Sequence, residues 1–378
     1  MLISFILTCC DDAPHIARCL VSIAAVARPG DELILIDNGS TDGTSEMIDG
    51  HLAQAGFHPE VALKPVLLGA RTPGGMGIPA NIGLSLAAKE TIFFVTGCEW
   101  IDAGGFAKLR GRLALSQADI AIANYQIFDE GLGALRPPPD TDAWGAMTPG
   151  GNDVGAVRRH ALRLLAAPWR TFYRHSFLQG KGLRFPEGDL PQEETPFHWA
   201  TCLAARTLAI HDVTVCHRRV SRPEAAEDSL QPMAFLTHFA TITGLLRGQD
   251  EACHLIAIGW LVENVAHQHR YLPLDGLYAY AREAAAQLSK VPNVLWTKAL
   301  AQVDPRHPAW IVADRLRCGD VGGQLASWEN ARLSRRLDRL EAGLADTAEL
   351  ARDTLERLRG QDAARGFAAI RAGCARRH

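Results

Sequence analysis

The first hundred residues alternate short apolar runs with helix-like stretches, and this alternation constrains the fold more than any other feature of the chain. Residues 3–9, 32–37 and 91–95 are runs rich in Ile, Leu, Phe and Val, and clusters of Gly, Asn, Asp and Ser separate them from the helix-like segments. Buried strands that alternate with helices form parallel sheets that are covered on both faces. We therefore expect an α/β protein with a mainly parallel sheet flanked by helices.

The composition excludes two broad classes of protein. The 378 residues carry a formal net charge of −3, and 47% of them are hydrophobic. A chain that binds nucleic acid through its charge needs a clear positive excess, which this chain lacks. A disordered chain would be poorer in apolar residues. The length suits one large domain with a smaller one, or two domains.

The cysteines and the hydropathy pattern indicate the compartment. There are nine cysteines, and none belongs to a CxxC pair. This favours reduced thiols in the cytoplasm. The apolar N-terminal run leads directly into Asp11 and Asp12, which is typical of a strand and not of a signal peptide. The later run from His254 to Val262 ends at Glu263, well short of a membrane span. We expect a cytoplasmic protein without a transmembrane segment.

Acidic side chains follow the predicted strands where each strand ends. Asp11 and Asp12 follow the first strand, Asp37 ends the second, and Glu99 follows the third. Because ligands of open α/β sheets bind at the carboxyl ends of the strands, these residues are candidates for a site. The alternative is that carboxylates at strand ends only cap the next helix.

The second half of the chain is predicted to be helical. Residues 125–156 are rich in Pro and Gly, and we interpret them as an irregular segment that closes over the site. The pattern predicts domains at residues 1–220 and 221–378, the second helical. Leucines from Leu333 to Leu344 fit either a helical hairpin or a short homodimer contact. The basic residues 365–378 fit either peripheral contact with an anionic membrane or a solvated tail.

Several blocks, taken in order, resemble those of a known family. They are Ile3-Ser-Phe-Ile-Leu-Thr, Leu35-Ile-Asp-Asn-Gly-Ser-Thr-Asp-Gly-Thr44, Asn81-Ile-Gly-Leu, Ile92-Phe-Phe-Val-Thr-Gly-Cys-Glu-Trp-Ile101, Pro168-Trp-Arg-Thr-Phe-Tyr-Arg-His-Ser-Phe-Leu178 and Gln192-Glu-Glu-Thr-Pro-Phe197. This set resembles glycosyltransferase family 2, which has a GT-A fold. The resemblance covers about the first 220 residues and implies inverting transfer of a sugar from a nucleotide-sugar to a hydroxyl of a glycan acceptor, in synthesis of a surface or capsular polysaccharide.

The resemblance implies which residues bind the donor, with uridine the expected base. Asp37 matches the aspartate that reads the base, Asn38 replaces a second aspartate, and Asp11 and Asn81 match nucleotide-side positions. An ionised carboxylate can accept the imide N–H of uracil or a ribose hydroxyl. The alternative for Asp37 is a turn residue that accepts a hydrogen bond from the N–H of Gly39 or Ser40.

The chain departs from the family where a divalent cation is usually bound. The Asp-x-Asp stretch is replaced here by Thr96-Gly97-Cys98-Glu99, so Thr96 and Cys98 would face the donor, and Glu99 is the one carboxylate left for Mg²⁺ or Mn²⁺. Both ions prefer hard oxygen ligands, so this set predicts a weak metal site. Protein cations would then offset the diphosphate charge. The candidates are Arg71, His217, Arg218 and Arg219, with a solvated basic strand end as the alternative.

The resemblance also implies a catalytic pair and an acceptor wall. Glu193 and Glu194 match the family's Glu-Asp pair, and Glu194 is the expected general base; acids that start a helix are the structural alternative. The acceptor wall is assigned to four residues, for which core packing is the alternative: Trp100, Trp169, Tyr173 and Arg174.

A second interpretation belongs to another functional class. Loss of the Asp-x-Asp carboxylates fits a degenerate GT-A domain that binds a glycan or nucleotide and acts as an assembly partner. Retention of Asp37 and Glu194 favours the enzyme.

Overall fold

The computed structural model describes residues 1–114, 118–145, 153–220, 231–304 and 306–374. The chain divides into two compact units, Met1–Gly319 and Asp320–His378. The helices between residue 231 and Gly319 therefore belong to the same unit as the sheet. The sequence-based boundary at residue 220 falls inside that unit, and as a division between functional domains it stays a prediction.

The first unit is built on one nine-stranded sheet. Its strands are β1 (Ile3–Cys9), β2 (Glu32–Asp37), β3 (Ala62–Leu67), β4 (Thr91–Thr96), β5 (Trp100–Ile101), β6 (Ile120–Asp129), β7 (Ala134–Arg136), β8 (Thr171–Arg174) and β9 (Leu208–Val220). The strand order is β3-β2-β1-β4-β8-β6-β9-β5, and β7 pairs with β6. Strands β3, β2, β1 and β4 are parallel, whereas β8 runs antiparallel to β4 and β6. The predicted α/β class with a mainly parallel sheet is confirmed for this half.

Helices connect the strands and then form a layer of their own. Those among the strands are α1 (Ile16–Ala24), α2 (Thr44–Gln54), α3 (Gly77–Leu86), α4 (Ala103–Leu113), α5 (Thr141–Gly145), α6 (Val154–Ala161), α7 (His175–Lys181) and α8 (Glu194–Ala204). Those after the sheet are α9 (Met233–Leu245), α10 (Glu251–Gln268), α11 (Leu274–Ser289), α12 (Asn293–Leu300), α13 (Pro308–Arg317) and α14 (Val321–Cys374).

Alternate residues of the strands pack on opposite faces of the sheet. On one face, the rings of Phe5, Phe93, Phe106 and Phe172 form a continuous aromatic cluster that contains the buried face of α4. On the other face, α3 packs tightly on β1. A Cβ at Gly83 would lie 2.3 Å from Cγ2 of Ile6, so only glycine fits at this contact.

Two parts of the chain differ from the sequence-based expectation. Residues 125–129 and 134–136 are not irregular, because they belong to β6 and to the strand β7 that pairs with it. The part of the expected closing segment at residues 146–152 lies outside the described residues. Residues 321–374 form one helix of 54 residues and not a hairpin.

Helix α14 leaves its leucines exposed. Leu333, Leu337, Leu340 and Leu344 are each 58–70% exposed and recur every three or four residues. Of the helices that the structure describes, none has a stretch long and apolar enough to cross a bilayer.

Candidate active site

Three parallel strands bring their carboxyl ends to one edge of the sheet. Cys9 at the end of β1 is in register with Asp37 at the end of β2, and Thr8 is in register with Thr96 at the end of β4. The segments that follow these strands therefore start side by side. This is the edge at which the sequence predicted a site, and ligands of open α/β sheets bind at such an edge.

Asp37 lies beneath the surface of this edge. Its carboxylate is fully buried and accepts hydrogen bonds from the hydroxyls of Ser40 and Ser45. These are local turn and helix-start contacts, so the observed geometry is close to the structural alternative, with hydroxyls in place of the backbone N–H groups. The carboxylate supports the surrounding turn, and a direct contact with a base requires one of the two hydroxyls to turn away.

The turn after β2 is joined to the loop after β3. Oδ1 of Asn38 accepts hydrogen bonds from the N–H and the hydroxyl of Thr72, at 3.0 and 2.9 Å. Gly39 has a positive φ of 69°, and a Cβ there would lie 2.3 Å from the carbonyl carbon of Ala70. The two loops are thus in direct backbone contact, and Asn38 is a structural link between them.

An exposed ion pair lies at the same edge. Asp11 adopts φ 56°, and its Oδ1 accepts a hydrogen bond from the N–H of Thr41 at 2.8 Å. Its Oδ2 lies 3.8 Å from Nη1 of Arg71, a residue of the glycine-rich loop. Both side chains reach solvent, so this edge offers an anionic and a cationic group to a ligand.

The turn after β4 carries a buried acid. Glu99 is 4% exposed, and its Oε2 accepts a hydrogen bond from the N–H of Thr96 at 3.4 Å. Burial raises the pKa of Glu99 to about 7, and the nearby charge of Arg218 opposes that rise. Burial likewise raises the pKa of the neighbouring Cys98 thiol to about 12, with the negative charge of Glu99 adding to it.

These groups do not form a good divalent-cation site. A thiol, a hydroxyl and one buried carboxyl lack the set of hard oxygen donors that Mg²⁺ and Mn²⁺ need. In the parts of the chain that the structure describes, no group of three or more His, Cys, Asp and Glu side chains is placed to hold a metal. The donor set at Thr96, Cys98 and Glu99 therefore does not fit the cation that the family usually binds.

Glu193 holds the glycine-rich loop. Its side chain is 2% exposed, and Oε1 accepts a hydrogen bond from the N–H of Gly75 at 2.5 Å. A Cβ at Gly74 would lie 2.5 Å from Oε1, and one at Gly75 would lie 2.9 Å from Oε2. The loop can approach the carboxylate this closely because it has no side chains there. Glu193 therefore has a structural task, and the structure does not show it facing open space.

Glu194 is the first residue of α8 and faces open space. Its side chain is half-buried and lines a cavity of about 720 Å³. Burial raises the pKa of Glu194 to about 7; the charge of Glu193 adds to the rise, whereas a backbone N–H and Arg218 oppose it. A carboxyl group with a pKa near neutrality, in a cavity, is suited to accept a proton.

Strand β9 separates the three basic residues of the predicted cluster. Successive side chains on a strand point to opposite faces. Arg218 lines the cavity together with Glu194, and its guanidinium lies 5.7 Å from the ring centre of Trp169. His217 and Arg219 point to the other face. Arg218, of the three, is therefore the cation that shares the cavity with Glu194.

His217, Arg219 and Trp100 form a cluster of their own, which corrects their predicted roles. His217 stacks on Trp100 with ring centres 5.0 Å apart, and its Nε2 lies 3.4 Å from Oδ2 of Asp102. Arg219 forms an ion pair with Glu130 at 2.6 Å. The guanidinium of Arg18 covers Trp100 at 3.5 Å from the ring centre. The predicted donor contacts of His217 and Arg219 and the sugar contact of Trp100 are therefore not supported, because these side chains are engaged with one another.

Two further acceptor predictions are wrong, and one residue keeps a place at the site. Tyr173 is 1% exposed and packs between Phe94 and Phe197, so it is a core residue. Arg174 is paired with Thr91 at the start of β4, at the opposite edge of the sheet. Trp169 is 7% exposed beneath Arg218, and it supports that cation more than it offers a surface of its own.

Asn81 also has a task different from the predicted one. Its side-chain N–H groups donate to the carbonyl oxygen of Phe185 at 2.9 Å and to Oε1 of Glu187 at 2.8 Å, and its Oδ1 accepts from the N–H of Phe185 at 3.0 Å. The amide therefore connects α3 to the segment that precedes α8. Its polar atoms are occupied, which explains its burial without a nucleotide.

The cavity extends well beyond the residues that the sequence singled out. Besides Glu194 and Arg218, it is lined by Trp199 of α8, Trp260 of α10 and Trp310 of α13. Eight lining residues of α10 recur with a helical spacing on one face: Ala252, Leu255, Ile256, Gly259, Trp260, Glu263, Asn264 and Gln268. That spacing is readable in the sequence, but it does not show whether a helix face meets a core or a cavity.

Comparisons with known proteins agree with this architecture. Residues 4–163 match the family model described as glycosyl transferase family 2. The chain is 22% identical over 213 residues to an uncharacterized glycosyltransferase, EpsJ, of Bacillus subtilis, which covers 56% of this chain and 59% of EpsJ. It is 26% identical over 132 residues to the glycosyltransferase GlyG of Streptococcus pneumoniae, which covers 35% of this chain and 42% of GlyG. The chain thus spans about half the length of these relatives.

Solved structures share the fold. The S. aureus protein TarS, residues 1–349 in complex with UDP, superposes with a TM-score of 0.65 at 18% identity and covers 88% of this chain and 92% of its own. The mannosyltransferase PcManGT of Pyrobaculum calidifontis, in complex with GDP-Man and Mn²⁺, reaches a TM-score of 0.50 at 17% identity, over 84% of this chain and 86% of its own. The chain has a GT-A fold and, through the domain at residues 4–163, belongs to glycosyltransferase family 2.

Proposed function

We propose that the protein transfers a sugar from a nucleotide-sugar to a hydroxyl of a glycan acceptor, with inversion at the anomeric carbon. One observation carries the proposal: Glu194 lines a cavity of about 720 Å³ together with Arg218, and its pKa is raised to about 7. A base and a cation are thus available in one pocket beside the strand ends at which α/β proteins bind their ligands.

The chemistry assigns a task to each group. Glu194 takes the proton of the acceptor hydroxyl, and the oxygen attacks the anomeric carbon from the face opposite the diphosphate. The bond from the anomeric carbon to the phosphate oxygen breaks, and the diphosphate leaves with the electron pair. Arg218, on the cavity side of β9, offsets the negative charge that develops on the leaving group.

The donor would lie across the ends of β1, β2 and β4. Asp11 and Arg71 are the exposed charged groups there, and Asn38 and Asp37 shape the turn between them. A uridine donor is favoured because the TarS structures, which share this fold, contain UDP and UDP-GlcNAc. Arg71 supplies a second cation at this edge, on the opposite side of the donor from Arg218.

No step of this mechanism depends on a divalent cation. The buried carboxyl of Glu99 and the Cys98 thiol do not form a fitting site, as described above. In our proposal Arg218 and Arg71 carry the charge that the family otherwise assigns to the metal.

The same observation favours a second function, in which the domain binds a nucleotide or glycan without turnover. A titration with UDP-, GDP- and dTDP-sugars, with and without Mn²⁺, separates the two. We expect one of these donors to raise the melting temperature and to be consumed when an acceptor is added. Binding of a donor without consumption under every condition would favour the assembly partner.

The cellular setting is proposed on separate grounds. The eight cysteines whose side chains the structure describes are free thiols, which supports a cytoplasmic location. The exposed leucines of α14 support a homodimer, to be tested by sedimentation. Synthesis of a surface polysaccharide and a peripheral membrane contact of residues 365–378 stay predictions, and the side chains of that tail lie outside the described residues.

A further inference from the structure

Helix α10 has two faces of different character. One face is buried: Cys253, Ala257, Ile258, Leu261, Val262 and Val265 pack within the helical layer. The opposite face lines the cavity, and all eight of its lining residues are half-buried. Because the inner face already secures the helix, the packing of the helical layer does not explain the composition of the cavity face.

Gly259 is the least expected residue on that face. It lies in the interior of an 18-residue helix, where glycine costs about 1 kcal/mol relative to alanine. A Cβ at this position would meet nothing within 4 Å. Neither a turn nor a close helix contact requires glycine here, so the effect of the missing side chain is to leave free space in the wall of the cavity.

Aromatic and polar groups surround this space. Trp260 lies next to Gly259 and contacts Phe235 with ring centres 5.8 Å apart. One turn further on, Asn264 and Gln268 form a hydrogen-bonded pair at 3.4 Å, and Glu263 lies between His267 and His307. Aromatic faces beside amide and carboxyl groups suit sugar rings, which present apolar C–H faces and hydroxyl edges.

The charges of the lining limit the ligand class. Among the described residues, no lysine or arginine of α9 to α13 lines the cavity, whereas Glu263 adds a negative charge. The lining cations, Arg163 and Arg218, come from the sheet-side part of the unit. An anionic polymer laid along α10 would therefore lack counter-charges.

We propose that the cavity face of α10, with Gly259, Trp260 and Glu263, is the binding surface for an uncharged oligosaccharide acceptor whose terminal hydroxyl reaches Glu194. The inference rests on the proposed function and goes beyond it, since it states the charge class of the acceptor and the helix that selects it. Gly259 and Trp260 are binding residues here, and neither takes part in the chemistry.

The test uses the full chain and a panel of labelled oligosaccharides. Neutral gluco-, manno-, galacto- and N-acetylhexosamine oligomers are compared with uronic-acid and glycerol-phosphate oligomers, and both binding and transfer are measured with a fixed donor. We expect the neutral oligomers to be the better acceptors. Preference for an anionic series, or failure of every neutral oligomer to bind, would overturn the inference.

Two matched variants locate the surface. Gly259→Phe fills the free space, and we expect it to raise the acceptor KM by about tenfold or more. Gly244→Phe is the control, because Gly244 is also a helical glycine with open space around it but does not line the cavity. Trp260→Ala should raise the acceptor KM, and Trp260→Phe should restore most of the affinity.

Donor binding distinguishes the two ways to fail. Nucleotide affinity and melting temperature are measured for each variant, so loss of folding is visible separately from loss of acceptor binding. If the wild-type chain binds no nucleotide-sugar, the proposed function is wrong. If it transfers sugar but Gly259→Phe behaves like Gly244→Phe, the proposed function stands and the acceptor surface is elsewhere.

Discussion

The carboxylate of Glu193 accepts a hydrogen bond from the backbone N–H of Gly75, a residue 118 positions earlier in the chain. This contact joins the start of α8, which carries the proposed base, to the glycine-rich loop at the proposed donor edge. A shift of either segment would move the other.

This relationship predicts different outcomes for two glycine-to-alanine substitutions. Gly75→Ala would place a Cβ 2.9 Å from Oε2 of Glu193, so we expect a loss of about 1 kcal/mol or more and a higher donor KM. Gly50→Ala, in the interior of α2 with nothing within 4 Å, should stabilise the chain by up to about 1 kcal/mol. Urea unfolding and donor kinetics measure both effects, and equal behaviour of the two variants would contradict the contact.

The raised pKa of Glu194 predicts the pH profile of transfer. The base must be ionised, so kcat/KM should fall about tenfold per pH unit below its pKa of about 7. Glu194→Gln should lower kcat by roughly 10²–10⁴-fold at every pH. An acid limb near 4.5, the ordinary value for glutamate, would show that a different group accepts the proton.

The buried acid Glu99 predicts how stability depends on pH. Its folded-state pKa is raised from 4.5 to about 7, so between these values the folded chain holds a proton that the unfolded chain releases. Stability from this group is therefore present below pH 4.5 and is lost as the pH rises to 7. Glu99→Gln removes the buried charge and should stabilise the chain at pH 8 by on the order of 1–3 kcal/mol, with little gain at pH 5. Thermal unfolding at the two pH values measures this, and a gain that does not change with pH would point to packing instead.

The two faces of β9 predict opposite results for neighbouring residues. Arg218→Ala should lower kcat by about 10²-fold or more, because Arg218 shares the cavity with Glu194 and offsets the leaving-group charge. His217→Ala should lower the melting temperature through the lost stacking on Trp100 and leave the acceptor and donor KM values near those of the wild type. Arg218→Lys is the control for charge alone. A large effect of His217→Ala on kcat would reverse the assignment.

The sequence predicts the strand-end edge well because short strands and turns have local signals. Asp11, Asp37 and Glu99 lie near the strand ends where the alternation of apolar runs places them. The same local signals do not show where a side chain points. Tyr173 and Trp100 fit the family blocks, yet the sheet places one in the core and the other under Arg18.

The cavity wall could not be predicted from local pattern. Arg218 and His217 are neighbours in a basic run, and their separation depends on the register of β9 against β5 and β6. Gly259 looks like a weak point in a helix until the free space beside it is known. Both depend on contacts between segments that are distant in the sequence.

The pairing of β5 with β9 has a consequence for how the site is made during synthesis. The four parallel strands come from residues 3–96 and can pair as soon as that stretch leaves the ribosome. The edge strand Trp100–Ile101 pairs with Cys216 and His217, which emerge more than a hundred residues later. The nascent chain therefore holds its nucleotide edge before the opposite wall exists, and the turn that carries Glu99 is fixed only when the last strand arrives.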